Sequence, residues 1–149
     1  MIKYSIRKGT PADLQASYDI RKNALGEYVK QTWGWDEDWQ WKYHLEDFNP
    51  EILYMIEIKG VPVATLEEIP EDDAILITGI YIIDKYQSMG IGKELMKSVM
   101  ADALKENKSV KLQVLKVNDR AKEFYIRLGF EVFDESKSHY KMIYRYKSE

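Results

Sequence analysis

The run Gln87-Ser88-Met89-Gly90-Ile91-Gly92 constrains the fold of this chain more than any other stretch, because it follows a nearly unbroken apolar segment and opens a helix-patterned one. Ala74 to Ile83 is interrupted only by Thr78 and Gly79, which is the composition of a buried strand. From Ile91 to about Asn107, Ile91, Leu95, Val99 and Ala103 recur at helical spacing with Met96, Met100 and Leu104 beside them, forming one wide apolar face. A strand, a glycine turn and a helix start together make an anion site. Glycines let the backbone approach a ligand with N–H groups outward, and the helix adds unpaired amides and the positive end of its dipole. Two stricter phosphate patterns fail. A Walker A loop needs glycine where the chain has Gln87 and a hydroxyl where it has Glu94, and the dinucleotide fingerprint needs a third glycine where it has Leu95.

The remaining elements can be read in order. Ile2 to Arg7 alternates like a strand, and Thr10-Pro11-Ala12-Asp13 starts a helix that runs to about Ala24 or beyond. Gly34 breaks that pattern, and Asp36 caps a second helix through Phe48, stopped by Asn49-Pro50. Ile52 to Ile58 and Val61 to Glu67 form a hairpin about Lys59-Gly60, which places Pro62 at a strand start or on an edge. After a turn at Pro70 to Asp73 comes the strand Ile75 to Ile83, then the long helix and a strand at Val110 to Lys116. A helix from Asn118 to Leu128 ends at Gly129, and Phe130 to Phe133 and Tyr140 to Tyr146 are the last strands. This is an α+β chain, a sheet layered with helices. Trp39, Tyr43 and Leu45 are expected in the core, as is His44, and the aromatic strand Tyr140 to Tyr146 is expected at a sheet edge where a homodimer can pair.

Composition excludes several classes. A length of 149 residues suits one domain, 1–149, with its own core. A net charge of −3 argues against a basic nucleic-acid surface. Without cysteine there is no disulfide, thiolate metal site or cysteine nucleophile, and His44 and His139, the two histidines, lie too far apart in sequence for a metal motif. The longest apolar run is about half of the roughly 20 residues a membrane helix needs, and the N-terminus lacks the apolar block of a secretory signal. The cytoplasm is the expected location.

The ordered set Gln-x-x-Gly-x-Gly at 87–92, Val114-Leu115-Lys116-Val117-Asn118, Ala121, Tyr125 and Leu128-Gly129-Phe130 resembles the GNAT superfamily of N-acetyltransferases. By motif the resemblance covers Ile75 to Phe130, and by element order the whole chain. It implies the GNAT fold, a mixed, mostly antiparallel sheet of about seven strands flanked by about four helices. It also implies acetyl-CoA as cosubstrate, with no metal. The coenzyme's pyrophosphate is then expected on the backbone of Gln87, Ser88, Met89, Gly90, Ile91, Gly92 and Lys93, and its pantetheine arm along Ile80, Tyr81 and Ile82, with Asn118 touching the arm while capping its helix. Tyr125 is expected to donate a proton to the leaving thiolate, although an aromatic beside Phe124 also suits the core, and a backbone N–H near Ile82 is expected to meet the oxyanion.

For the general base the candidates are Glu67 and Glu68, near the end of the third strand, against the plainer reading of a solvated strand end. The four tryptophans lie between Tyr28 and Trp41, and by resemblance this region forms a wall of the acceptor site. Trp33, Trp35 and Glu37 therefore read as an aromatic, acidic pocket for a cationic amine, or as core packing and a cap at Asp36. The expected activity is acetyl transfer from acetyl-CoA to a primary amine of a small molecule or peptide by direct attack. The alternatives are a non-catalytic acyl-CoA-binding or sensing module, and a nucleotide-binding regulatory domain.

Overall fold

The computed structural model describes residues 2–147. Among these residues, seven strands and four α-helices follow in the order β1 (Ser5–Lys8), α1 (Leu14–Trp33), α2 (Glu37–Asp47), β2 (Leu53–Ile58), β3 (Val61–Pro70), β4 (Ala74–Ile82), α3 (Ile91–Lys105), β5 (Ser109–Leu115), α4 (Asp119–Leu128), β6 (Glu131–Glu135) and β7 (His139–Tyr144). Short 3₁₀ turns at Pro11–Asp13, Pro50–Ile52 and Asp84–Tyr86 join some of them. The strands hydrogen-bond in the order β1-β2-β3-β4-β5-β7-β6. β1–β2, β2–β3, β5–β7 and β6–β7 are antiparallel, and β4–β5 is parallel.

By its contacts the chain divides into two compact units. One takes the residues up to Glu67 together with Gly79–Ile91, the other Glu68–Thr78 and the residues from Gly92 onward. In the first, Ile20, Leu53 and Met55 are buried against Ala16, Phe48, Tyr81 and Ile83. In the second, Leu95, Met96, Val99, Met100 and Ala103 form the buried face of α3, while Leu104 at its margin is exposed. Val110, Leu112, Phe130 and Met142 are also buried in this unit.

Local chemistry sets the element ends. Asp36 accepts a hydrogen bond from the Trp39 amide and caps α2. Asn118 does the same for α4 through Ala121 N at 3.1 Å, and Gly129 closes α4 at φ 106°. Lys59 and Gly60, both at positive φ, make the β2–β3 turn, and a bulge between Ile56 and Glu57 brings Pro62 opposite Glu57.

Two expectations fail. β7 lies between β5 and β6, so the aromatic strand is interior and offers no free edge; the edges are β1 and β6. Strand order is set by long-range pairing, which aromatic content does not report. Trp39, Tyr43 and Leu45 are exposed, because α2 turns Gln40 and His44 inward instead. His44 is buried as expected, its Nε2 lying 2.8 Å from Leu14 O and 3.2 Å from Ser17 Oγ.

The first turn of the chain is held by a buried carboxylate. Asp13 accepts from Arg7 Nη1 and Nη2 at 2.8 Å each and from the Thr10 amide at 2.8 Å, while Arg7 Nε reaches Glu57 at 3.2 Å. The Arg7 hydrogen bonds hold the Asp13 carboxyl down at about 2 despite its burial. Replacing Asp13 with Ala is expected to cost about 2 kcal/mol in urea unfolding at neutral pH. Because the folded value is depressed from 3.8, this contribution is complete above that pH and fades as pH falls through about 2. Wild type and variant should converge in stability at that acid limit.

Candidate functional site

The loop after β4 is pinned before it reaches its glycines. Tyr86 N bonds to Ile83 O at 2.9 Å, and Gln87 N to Asp84 O at 3.2 Å. The Gln87 side chain donates to Ile82 O at 2.7 Å, and the Asp84 amide donates to Asn23 Oδ1 at 2.8 Å. Ser88 at φ 62° and Gly90 at φ 87° then reverse the chain directly into the 15-residue α3. Left-handed backbone at a non-glycine residue is a cost that a tight, functional turn repays. A turn of this kind at a helix start is the local backbone form that phosphate groups favour. The β4–β5 register runs for three pairs, Ala74↔Ser109, Ile75↔Val110 and Leu76↔Lys111, and no further among the described residues. Inside the second unit, Ile77 and Thr78 thus continue the strand without a β5 partner, the kind of edge an extended amide arm can join.

In the first unit, four elements converge around Glu67. Burial pushes its carboxyl up to about 7, Asp47 adds to the rise, and Arg21 opposes it. Among the described residues no donor hydrogen-bonds the Glu67 carboxylate, so its charged form lacks that stabilisation. Gly79 makes room for it. A Cβ at residue 79 would lie 3.0 Å from Glu67 Oε1 and 2.8 Å from Cε2 of the Tyr81 ring, so the glycine serves close approach in mid-strand. The Tyr81 phenol is itself pushed up by burial. Arg21 Nη1 donates to Gln40 Oε1 at 3.0 Å, and its guanidinium lies 5.7 Å from the centre of the Tyr43 ring.

The other expected residues are placed as follows. Strand alternation separates Glu68 from Glu67, and Glu68 lines a cavity of about 390 Å³ with Ile75, Val99, Asp102, Lys105 and Glu106 in the second unit. Tyr125 is 6 % exposed and packs edge-on against Phe124 and Phe130, with centroids 5.1 and 5.5 Å away. Asn118 Oδ1 is engaged in its cap. Trp35 and Glu37 are together: the indole N–H donates to Glu37 at 2.5 Å, and Lys22 pairs with the same carboxylate at 2.8 Å. Those two donors, Lys22 first, lower the Glu37 carboxyl. Trp33 is 62 % exposed at the end of α1. His139 Nδ1 lies 2.8 Å from Ser138 Oγ, and burial lowers its ring. Arg21, Gln40, Tyr43 and Asp47 were not anticipated; the one sequence signal for this cluster is the lone Gly79 inside an apolar strand. No group of three potential metal ligands occurs among the described residues, and no described helix is long and apolar enough to cross a membrane.

The family model described as Acetyltransferase (GNAT) family matches residues 17–130. No curated protein matches the chain in sequence. Solved structures share its fold. The PaiA N-acetyltransferase of Thermoplasma acidophilum, in complex with coenzyme A, is 17% identical with a TM-score of 0.79, covering 97% of this chain and 100% of its own. The ribosomal-protein-S18-alanine N-acetyltransferase of Escherichia coli is 17% identical with a TM-score of 0.73, covering 99% and 96%. Naa50 of Arabidopsis thaliana, in complex with the bisubstrate analogue CoA-Ac-MVNAL, is 16% identical with a TM-score of 0.68, covering 96% and 99%. With the glycine turn, the short parallel ladder and a family match over most of its length, the chain belongs to the GNAT family of acetyltransferases.

Proposed function

We propose that the chain is a single-domain N-acetyltransferase that moves an acetyl group from acetyl-CoA to a primary amine of a small molecule or peptide by direct attack, with Glu67 as general base. The observation that carries the reading is the Glu67 carboxyl, half-buried beside Gly79 and titrating at about 7. A base is most effective when its pKa lies near the working pH. An alkylamine with a pKa of about 10.4 is less than about one part in a thousand neutral at pH 7, so removing its proton is a real part of the barrier. Glu68 faces elsewhere and has no role in this scheme.

Acetyl-CoA, when bound, supplies an acyl group activated as a thioester. The backbone amides of Ser88 to Lys93 hold its pyrophosphate, and the strand residues Ile80, Tyr81 and Ile82 offer backbone groups to its pantetheine arm. Glu67 takes the ammonium proton, directly or through one water, and the freed nitrogen attacks the acyl carbon. A backbone N–H near Ile82 receives the charge on the carbonyl oxygen. As the C–N bond forms and the C–S bond breaks, the Tyr125 phenol gives its proton to the departing sulfur, and the second nitrogen proton leaves through water to restore the phenol, giving the neutral amide and the CoA thiol. Asn118 fixes the start of α4, the helix on which Tyr125 stands. Trp33 and Trp35 serve as apolar wall for the acceptor, with the Glu37 carboxylate beside them held ionised and paired with Lys22. The family match across residues 17–130, which spans both units, supports one domain. An acetyl-CoA donor implies a compartment that supplies it, and we take that to be the cytoplasm.

Two measurements test this. In the kcat–pH profile the wild type should rise through about pH 7, and Glu67→Gln should lose that limb and about a hundredfold or more in kcat. The same carboxyl leaves a thermodynamic mark. Between 4.5 and about 7 the folded protein holds a proton that the unfolded chain has released, so stability falls as pH rises through that window; Glu67→Gln should remove this slope. Separately, millimolar CoA should raise the Tm of wild type and of Tyr125→Phe alike, while Tyr125→Phe loses at least tenfold in turnover. No thermal shift with CoA would overturn the reading. A shift without CoA release from any amine would leave a binding module instead.

A further inference from the structure

Arg21 is the cation of the cluster around Glu67, and its charge is not neutralised by an ion pair among the described residues. It is half-buried on α1, yet no carboxylate lies within ion-pairing distance of it among the described residues. Its contrast is Arg7 in the same unit, which is clamped by Asp13 and Glu57. Arg21 is held by neutral partners: Gln40, 5 % exposed, accepts from Nη1 at 3.0 Å, and the Tyr43 ring lies under the guanidinium at 5.7 Å. Tyr43 is in turn stacked with Trp39, the rings 5.5 Å apart and 9° from parallel. An arginine positioned by a buried amide, the Tyr81 phenol and an aromatic face, all of them neutral, is prepared for a planar anion. Half-buried charges are normally paired, so a ligand that supplies the pair gains from a guanidinium already oriented.

We infer that Arg21 binds a carboxylate on the acceptor, so that the substrate class is amines bearing a carboxylate, such as amino acids or short acidic peptides. This rests on the proposed acetyl transfer at the same site. The two nearby acids agree with it. Glu67 and Asp47 sit in the same cluster, so the site presents a base for the ammonium end and a cation for the acidic end of one molecule. Exposed Trp39 and Tyr43 then have a use that core packing does not supply: they brace the arginine and cover the substrate's apolar part.

The test uses matched pairs of acceptors, an amino acid and its carboxamide, with CoA release as the readout. In the wild type kcat/KM should favour the carboxylate member at least tenfold, chiefly through KM. In Arg21→Gln the ratio within each pair should collapse toward one, and Arg21→Lys should restore part of it. A collapse of the ratio is not produced by a change in Glu67, because loss of the Arg21 charge acts on that base equally for both members. A wild-type ratio of one or less, or a ratio unchanged in Arg21→Gln, overturns the inference. Quenching of tryptophan fluorescence by N-acetylated amino acids gives a second readout without turnover, since Trp39 stacks on the ring beneath Arg21. Saturable quenching in the wild type that is lost in Arg21→Gln, with no CoA release from any amine, would sink the catalytic reading and keep the carboxylate site. Turnover with no such quenching and no pair preference would do the reverse.

Discussion

The parallel ladder between β4 and β5, three residue pairs long, is the constraint on which the rest of this structure depends. Parallel neighbours need a crossover of a dozen or more residues, and α3 supplies it. A helix used in this way starts just beyond the end of its strand, which is where Ser88 and Gly90, both at positive φ, turn the chain into α3. A longer ladder would spend the backbone groups of Ile77 and Thr78 on β5; ending it at Leu76 keeps them for another partner. The same strand then runs on to Gly79 and Tyr81, beside Glu67. One strand thus carries, by chain continuity, the open edge and the approach to the glycine turn, and its Gly79 faces the proposed base on β3.

Around Glu67 the protein accepts local costs that a purely structural strand would avoid. Glycine in a strand interior forgoes packing and loses more entropy on folding than alanine does, yet a methyl at residue 79 would collide with Glu67 or the Tyr81 ring. A half-buried carboxyl without a hydrogen-bond donor is likewise unfavourable when charged, and that penalty is what lifts it toward neutrality. Arg21 limits the lift without cancelling it, since it stands close enough to act through space but not to form an ion pair. The Asp13 carboxylate in the same unit shows the opposite solution, with three donors at 2.8 Å and a strongly depressed titration.

What was legible in the sequence is what short-range chemistry decides. The caps at Asp36 and Asn118, the stop at Gly129, the Lys59-Gly60 turn and the periodic face of α3 each depend on neighbours within a turn or two, and each stands where its residues imply. The glycine turn and the Asn118 to Phe130 motif were also readable as an ordered set. The face of α2 was not. It buries Gln40 and His44 and exposes Trp39 and Tyr43, inverting the usual hydrophobic rule because the buried polar atoms have partners: Arg21 for Gln40, and Leu14 O with Ser17 for His44. The cluster around Glu67 was illegible for another reason. Its members come from α1, α2, β3 and β4, share no spacing, and are brought together only by tertiary packing.

The last strand pair governs how the molecule behaves among its own copies. β6 is a sheet edge with every residue exposed, including the apolar Val132 and Phe133. Such an edge invites a second chain to add as a strand. Here the register slips between Val132 and Asp134, so the outward N–H and C=O groups lose regular spacing, and Glu131, Asp134 and Glu135 would meet the same carboxylates on an incoming copy. Glu131 and Glu135 are also tied back to Arg145 at 2.5 Å and Lys116 at 3.3 Å. The broken register and the carboxylates thus work against strand addition at an edge whose apolar side chains would otherwise favour it.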